Sequence, residues 1–566
     1  MRIKHFFGLA VIAAMTASCS SNNDLVNGGN GSGENETGTA YASFKINLPT
    51  TSGTRADDPK QGTPSFDHGT AAEYEVKNGT ILIFDKDGKF VESAKLGTMN
   101  PWTDVKSDGV TTAAIATVKL EHVSVGGKYK ALVLLNNDVD DTNKKVTLPT
   151  ASTDTYANWS KDVSMVNADN YAKTDGIFMA NAPMYNSTTE EPTTLVDIKD
   201  VYASQEEAQA KPATTIYVER GLAKVTMKDF TTSGYSIDAG TYEGGKVKIE
   251  KWQLDVTNKF TYPVHQIGGL SSATTGFADI WKTDRFYDQT STAFKRVYWG
   301  VDPNYNNADY QTLENCKTAF NMITNDKVTG DAGETNPQYC LENTFDLDNM
   351  MQGQTTRVVF KAVFTPKDFT TGQTFYKIGN NTDIWTKANL ETQIHTVAVT
   401  AMGITDDAEQ AKYVVKLDAT DNNISGKAGQ HLVEKCNITY TGDAASSLVT
   451  DEIVNKINDK LGLSTAAGIS TYLNGEAYYI ARIKHFNELT PWTAGTAYDS
   501  NNAAFLGRYG VLRNNWYELS VNKVSGLGYP SVPEVKPTVP DDENDQYINV
   551  SVKILDWAKR SQDVNL

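Results

Sequence analysis

Cysteine is scarce: four in 566 residues are too few to staple a disulfide scaffold, and Cys316, Cys340 and Cys436 show no CxxC spacing of a zinc site. Spacing leaves open whether Cys316 and Cys340 pair. Basic clusters are missing as well. With 69 acidic against 52 basic residues the net charge is −17, and no stripe of Lys and Arg is available to hold a nucleic-acid backbone. HExxH, GxSxG and GxxxxGK[ST] are absent, and the histidines after His5 are scattered from His68 to His485 without i, i+4 pairing. The expectation is therefore no metal, no cofactor, no catalytic residue and no enzyme. The chain does have 39 % apolar and 10 % aromatic residues, enough for at least two ordinary cores under an acidic surface.

The first residues have the parts of an export signal. Arg2 and Lys4 give a positive start, residues 6–15 form an apolar run too short to span a membrane, and Thr16-Ala17-Ser18-Cys19 closes it. Small residues before one cysteine resemble a lipobox, in which Cys19 is lipidated, although Thr16 stands where Leu is usual. An ordinary secretory signal is the alternative. Residues 20–39 read as a flexible tether. Ala42, Phe44, Ile46 and Leu48 then alternate with polar residues, which is the period of a half-buried strand. Pro49 ends it, and a polar loop follows with Arg55 as the only basic residue between Lys45 and Lys60. Such a loop suits a trypsin-like protease; a solvated loop charge is the bland alternative.

The body reads as many short strands with polar turns. A hairpin spans 80–96 around Asp87-Gly88, and further strands are expected at 177–179, 215–219, 223–227, 247–256, 296–299, 357–364, 412–417, 435–440, 477–483 and 516–524. Helical period is confined to 201–210 and 448–461. Asp85-Lys86-Asp87-Gly88 resembles the start of a calcium loop, but its twelfth position is Leu96, so a turn is the better reading. This pattern predicts an all-β protein of two β-sandwiches at 56–232 and 233–528.

The C-terminal end is distinctive. Pro530, Pro533, Pro537 and Pro540 fall within eleven residues before an acidic run at 541–545, a composition that favours extended polyproline backbone. At ~3.1 Å per residue, residues 530–546 would reach roughly 50 Å away from the body. A second apolar stripe follows at Ile548, Val550, Val552 and Ile554. A cut after Arg55 would free the first stripe's strand from the body and expose a groove that a neighbour's tail can fill. Donor and groove lie at opposite chain ends, so repeated exchange builds an open filament with heterologous contacts. Pairing of each strand within its own chain is the alternative.

Several stretches resemble the fimbrillins of type V pili, most of all the shaft subunits of short fimbriae. These are the Cys19 region, Gly53-Thr54-Arg55-Ala56, GKYKALVLLNN at 127–137, IYVERGLAKVT at 216–226, TRVVFKAVFTP at 356–366, VLRNNWYELSVNKV at 511–524 and the last thirteen residues. The resemblance implies two transthyretin-like β-sandwich domains with a few short helices, plus an extended C-terminal donor strand. It implies a signal peptide at 1–18 and a propeptide at 19–55 that contains the tether and a removable strand with Ala42, Phe44, Ile46 and Leu48. The spacer and donor strand occupy 529–566. It further implies lipidation of Cys19, outer-membrane anchoring, and cleavage between Arg55 and Ala56 by an arginine-specific protease. Polymerisation would proceed through Ile548, Val550, Val552 and Ile554, with Trp557 anchoring the strand end. The partners implied are copies of the chain itself and accessory, anchor and tip fimbrillins, with a host protein or glycan as receptor. An accessory or tip adhesin, and a glycan-capturing surface lipoprotein, are the competing readings.

Overall fold

A computed structural model describes residues 39–49, 69–97, 103–104, 110–171, 175–186, 191–267, 296–418, 421–485, 498, 505–542 and 548–556. Cys19, Arg55, Ala56 and Trp557 lie outside these residues.

The first module is built on two continuous apolar runs. Gly79–Asp85 and Tyr129–Leu135 pair antiparallel in the middle of a sheet that is covered on both faces, which is why they lack the polar alternation of a solvated strand. Ile81, Ile83, Val133 and Leu135 enter one core together with Phe44 and Ile46. Leu82, Phe84, Leu132 and Leu134 enter a second with Trp159 and Phe178. Along the sheet the strands run Phe90–Lys95, Gly79–Asp85, Tyr129–Leu135, Met179–Asn181, Thr214–Arg220, Ala40–Pro49, Val110–Leu120 and Thr103–Asp104. Because one core takes side chains from both halves of this order, the sheet folds over on itself as a sandwich. At the hairpin the Asp85 carboxylate accepts from the amides of Asp87 and Lys89, both at 2.9 Å, and Gly88 takes φ +81°. The acidic group there shapes a turn.

The second module is a two-layer sandwich. One sheet orders Gln338–Cys340, Ala223–Met227, Asn515–Val524 and Ile548–Asp556; the other orders Tyr235–Ser236, Lys246–Asp255, Arg357–Thr365 and Glu476–Arg482. Val225, Met227, Trp252, Phe360, Tyr479, Tyr517 and Leu519 fill the space between them. The chain changes sheet between Arg220 and Ala223, so Ala223–Met227, expected at the end of the first domain, pairs in the second. Residues 296–299 form no strand beyond an isolated bridge at Arg296.

Between the paired strands Arg357–Thr365 and Glu476–Arg482 lies an insert with its own core, which the two-sandwich expectation did not contain. Its helices Lys387–Met402 and Asp451–Lys460 place Leu390, Ile394, Ala398 and Ile457 against Tyr376, Val415 and Ile469. Thr386 caps the longer helix and Gly403 ends it at φ +73°.

The Pro-rich spacer departs from the free, extended tail that its composition suggests. It lies on the second module, where its carbonyls and few apolar side chains find partners that proline's missing N–H does not preclude. Tyr529 exchanges two backbone hydrogen bonds with Tyr478. The Pro533 carbonyl accepts from Arg357 at 2.7 Å, and Val535 is buried beside Cys316 and Phe320. Pro537 sits so near Gly353 that a Cβ there would stand 2.9 Å from its Cα. Asp541 accepts from the hydroxyls of Tyr498 at 2.6 Å and Thr355 at 2.8 Å, and Asp542 from that of Tyr509 at 2.8 Å.

Candidate functional site

Ala40–Pro49 occupies a slot closed on four sides. Its edges carry a ladder to Val110–Leu120, antiparallel, and to Thr214–Arg220, parallel over Phe44 to Asn47. Strand alternation sends Ala42, Phe44, Ile46 and Leu48 into the core, each at most 1 % exposed. On the opposite face the short helix Gln205–Ala210, capped by Ser204, lies over the strand. Ser43 donates to the carbonyl of Ala208 at 2.8 Å and stands 2.7 Å from the Thr117 hydroxyl, and Tyr41 exchanges two 2.8 Å backbone bonds with Tyr202. Lys45 alone on that face reaches solvent fully; Asn47 is buried, and its Oδ1 accepts no hydrogen bond among the described residues.

The cohesion of this strand can be bounded. Burying Phe44, Ile46 and Leu48 contributes about 1.5–3 kcal/mol each, so the three together hold it by roughly 5–9 kcal/mol, an upper estimate because the unfolded chain also buries some surface.

Ile548–Asp556 is held differently. Among the described residues it pairs antiparallel with Asn515–Val524 and with no other strand, at the end of its four-stranded sheet. Ile548 is buried in the second core and Val550 is half-buried against it. Val552 and Ile554 lie in the same strand, at register positions facing Leu519 and Tyr517. One strand is thus laddered on both edges, the other on one.

Charged residues missed in the sequence join the two modules. Glu219 receives bonds from Arg296 Nη2 at 2.6 Å and Nε at 2.9 Å, and its other oxygen lies 2.6 Å from His265 Nδ1. Burial pushes the Glu219 carboxyl up, but Arg296 and His265 outweigh it and hold it below the usual range. Alongside, Lys224 pairs with Glu73 at 2.7 Å, Arg220 donates to the Glu73 carbonyl at 2.9 Å, and Arg513 pairs with Glu342 at 3.1 Å. In sequence Glu219, Arg220 and Lys224 sit within strands, where charge normally marks a solvated face; the clustering of both signs in IYVERGLAKVT was the available signal. The Asn pairs are staples too. Asn136, at φ +55°, ties Lys77 N–H, Glu75 O and Ile177 O, and Asn514, at φ +57°, accepts from the Arg220 amide.

Among the described residues no group of His, Cys, Asp or Glu is placed to hold a metal ion. Cys316 and Cys340 are buried free thiols. Trp159, Trp252, Trp299 and Trp516 are buried and Trp385 half-buried, so none of these presents an open ring face for a sugar.

Buried strands and polar groups that staple one element to another define a multidomain protein of β-sandwich class. Residues 470–563 match the family described as major fimbrial subunit protein type IV, fimbrillin, C-terminal. That segment begins where the helical insert ends and includes both partners of the C-terminal strand pair. The match makes this C-terminal stretch similar to a fimbrillin C-terminal region. No curated protein matches the chain.

Solved structures similar to it include a cell adhesion protein assigned as such without proof from Parabacteroides distasonis, at 11 % identity over 93 % of this chain and 99 % of that one, TM-score 0.37. A fimbrilin from Porphyromonas gingivalis is similar at 12 % identity over 92 % and 99 %, TM-score 0.33. The tip fimbrial protein Mfa3 of the same organism, truncated at its C-terminus, is similar at 11 % identity over 91 % and 100 %, TM-score 0.29.

Proposed function

We propose that this chain is the shaft subunit of a cell-surface fimbria. It is exported as an outer-membrane lipoprotein through Cys19 and cleaved between Arg55 and Ala56 by an arginine-specific protease. It then polymerises by strand exchange, the strand of one copy that carries Ile548, Val550, Val552 and Ile554 replacing the strand of the next that carries Ala42, Phe44, Ile46 and Leu48. The observation that carries this reading is the inequality of the two ends. The donor strand goes from a ladder on one edge to ladders on two, while the cleaved strand it displaces gives up both and is released into solvent. A tip subunit has no need of a donor strand and an anchor keeps its lipid, so the two ends together favour the shaft over an accessory or tip adhesin.

Arg55→Ala is expected to leave folded, lipid-anchored monomers. Deletion of residues 546–566 is expected to leave a folded monomer that is cleaved but does not elongate a fibre. Normal filaments from the first variant would refute the cleavage step, and undiminished polymer from the second would refute the donor role.

A further inference from the structure

Resting on that exchange, we infer that the C-terminal strand of a second copy enters the slot in one register and polarity. Ser551 replaces Ser43 and Lys553 replaces Lys45, and the strand runs antiparallel to Val110–Leu120 and parallel to Thr214–Arg220.

The apolar stripe does not decide the register, because a slip of two residues preserves it. The other face decides it. That face demands a small hydroxyl beneath the Ala208 carbonyl at Ser43, open water at Lys45, and no charge at Asn47, which is 2 % exposed. Ala42-Ser43-Phe44-Lys45-Ile46 and Val550-Ser551-Val552-Lys553-Ile554 meet these demands in the same order. Alignment of the four apolar residues on Ala42, Phe44, Ile46 and Leu48 instead carries Lys553 to the position of Asn47. An ammonium would there lose its water at a position only 2 % exposed, a penalty an exposed lysine never meets.

In the inferred register Leu555 takes the place of Asn47 and replaces a buried amide oxygen that accepts no hydrogen bond among the described residues. Val550 is larger than Ala42 and Val552 smaller than Phe44; they are neighbours on one face, so the changes offset each other in the shared core. Asp556 falls at Leu48, a buried position still paired with Thr112 but one residue past the last that is paired to Thr214–Arg220, so in this register the incoming strand must leave the slot after Leu555. The polarity follows because only the direction of Ala40–Pro49 reproduces both ladders with these side chains on these faces.

The register sets a cross-link. Lys45 is opposite Ile115, and both are exposed, Ile115 at 69 %. Lys553 of one copy should therefore lie opposite Ile115 of the next, with Cβ atoms about 4.5–5.5 Å apart. In a Cys436→Ser background, which removes the exposed thiol, cleaved full-length Lys553→Cys/Ile115→Cys protein is polymerised, oxidised and boiled in SDS without reductant. A covalent ladder is expected, with only a trace from Ser551→Cys/Ile115→Cys. Polymer in which the Ser551→Cys pair dominates, or in which neither pair links, overturns the register and leaves exchange standing. A cleaved Cys436→Ser parent that forms no polymer overturns exchange itself and the register with it.

Discussion

Phe44→Ala separates the two lives of the N-terminal strand. Phe44 is fully buried in the first core, between the ladders to Val110–Leu120 and Thr214–Arg220. Truncating a ring in such a place costs about 3–5 kcal/mol, part lost transfer energy and part cavity. The uncleaved precursor should lose that amount in urea unfolding of its first module, seen as a lower midpoint at unchanged slope. The fibre should lose almost nothing, because the residue departs with the displaced strand. Weaker retention of that strand also predicts faster assembly after cleavage: at 1.4 kcal/mol per decade, even the low end is roughly 10²-fold in the strand's dissociation constant. Precursor denaturation and heat-plus-SDS dissociation of cleaved polymer measure the two states. A fibre weakened as much as the precursor, or a precursor unaffected, would refute the reasoning.

Three further outcomes are expected. Glu219→Gln leaves the Arg296 guanidinium buried without its carboxylate and should destabilise the chain by about 3–5 kcal/mol in chemical denaturation; a loss under 1 kcal/mol would show that the network is dispensable. Burial pushes the Asp541 carboxyl up to about 6, against the hydrogen bonds from Tyr498 and Thr355 and the Arg482 charge that pull it down. Its folded pKa thus exceeds the ~3.9 of an unfolded Asp, so the folded state holds the extra proton between the two and this contribution is lost as pH rises through about 6. Amide exchange at Asp541, corrected for intrinsic rates, should be slower at low pH than at neutral pH, and Asp541→Asn should flatten the dependence; the opposite slope would contradict it. Ser43→Ala removes the bond to Ala208 and should cost the precursor about 1 kcal/mol, read from thermal unfolding.

Much of the β framework was legible because its strands declare themselves by period. Ala42 to Leu48 alternates and lies with one face in the core; GTILIF and ALVLL are unbroken apolar runs and lie buried on both faces. The helix Lys387–Met402 was not legible, since Thr392, Thr396, Thr400, Val397 and Val399 give it a β-branched composition. Its threonine hydroxyls bond back to carbonyls one turn earlier, so the helix tolerates them. The docking of the spacer was hidden for a different reason: proline content reports backbone conformation, not what lies beside it. The inter-module charges were hidden because burial of a charge depends on partners far away in sequence, Glu219 on Arg296 and Glu342 on Arg513.

The most direct test of the account is mild trypsin treatment of the lipid-free precursor, followed by N-terminal sequencing and an SDS gel run without boiling. The account predicts a new terminus at Ala56 together with an SDS-resistant ladder of polymers. A stable monomer cut after Arg55, or a precursor that resists cleavage there, would contradict it.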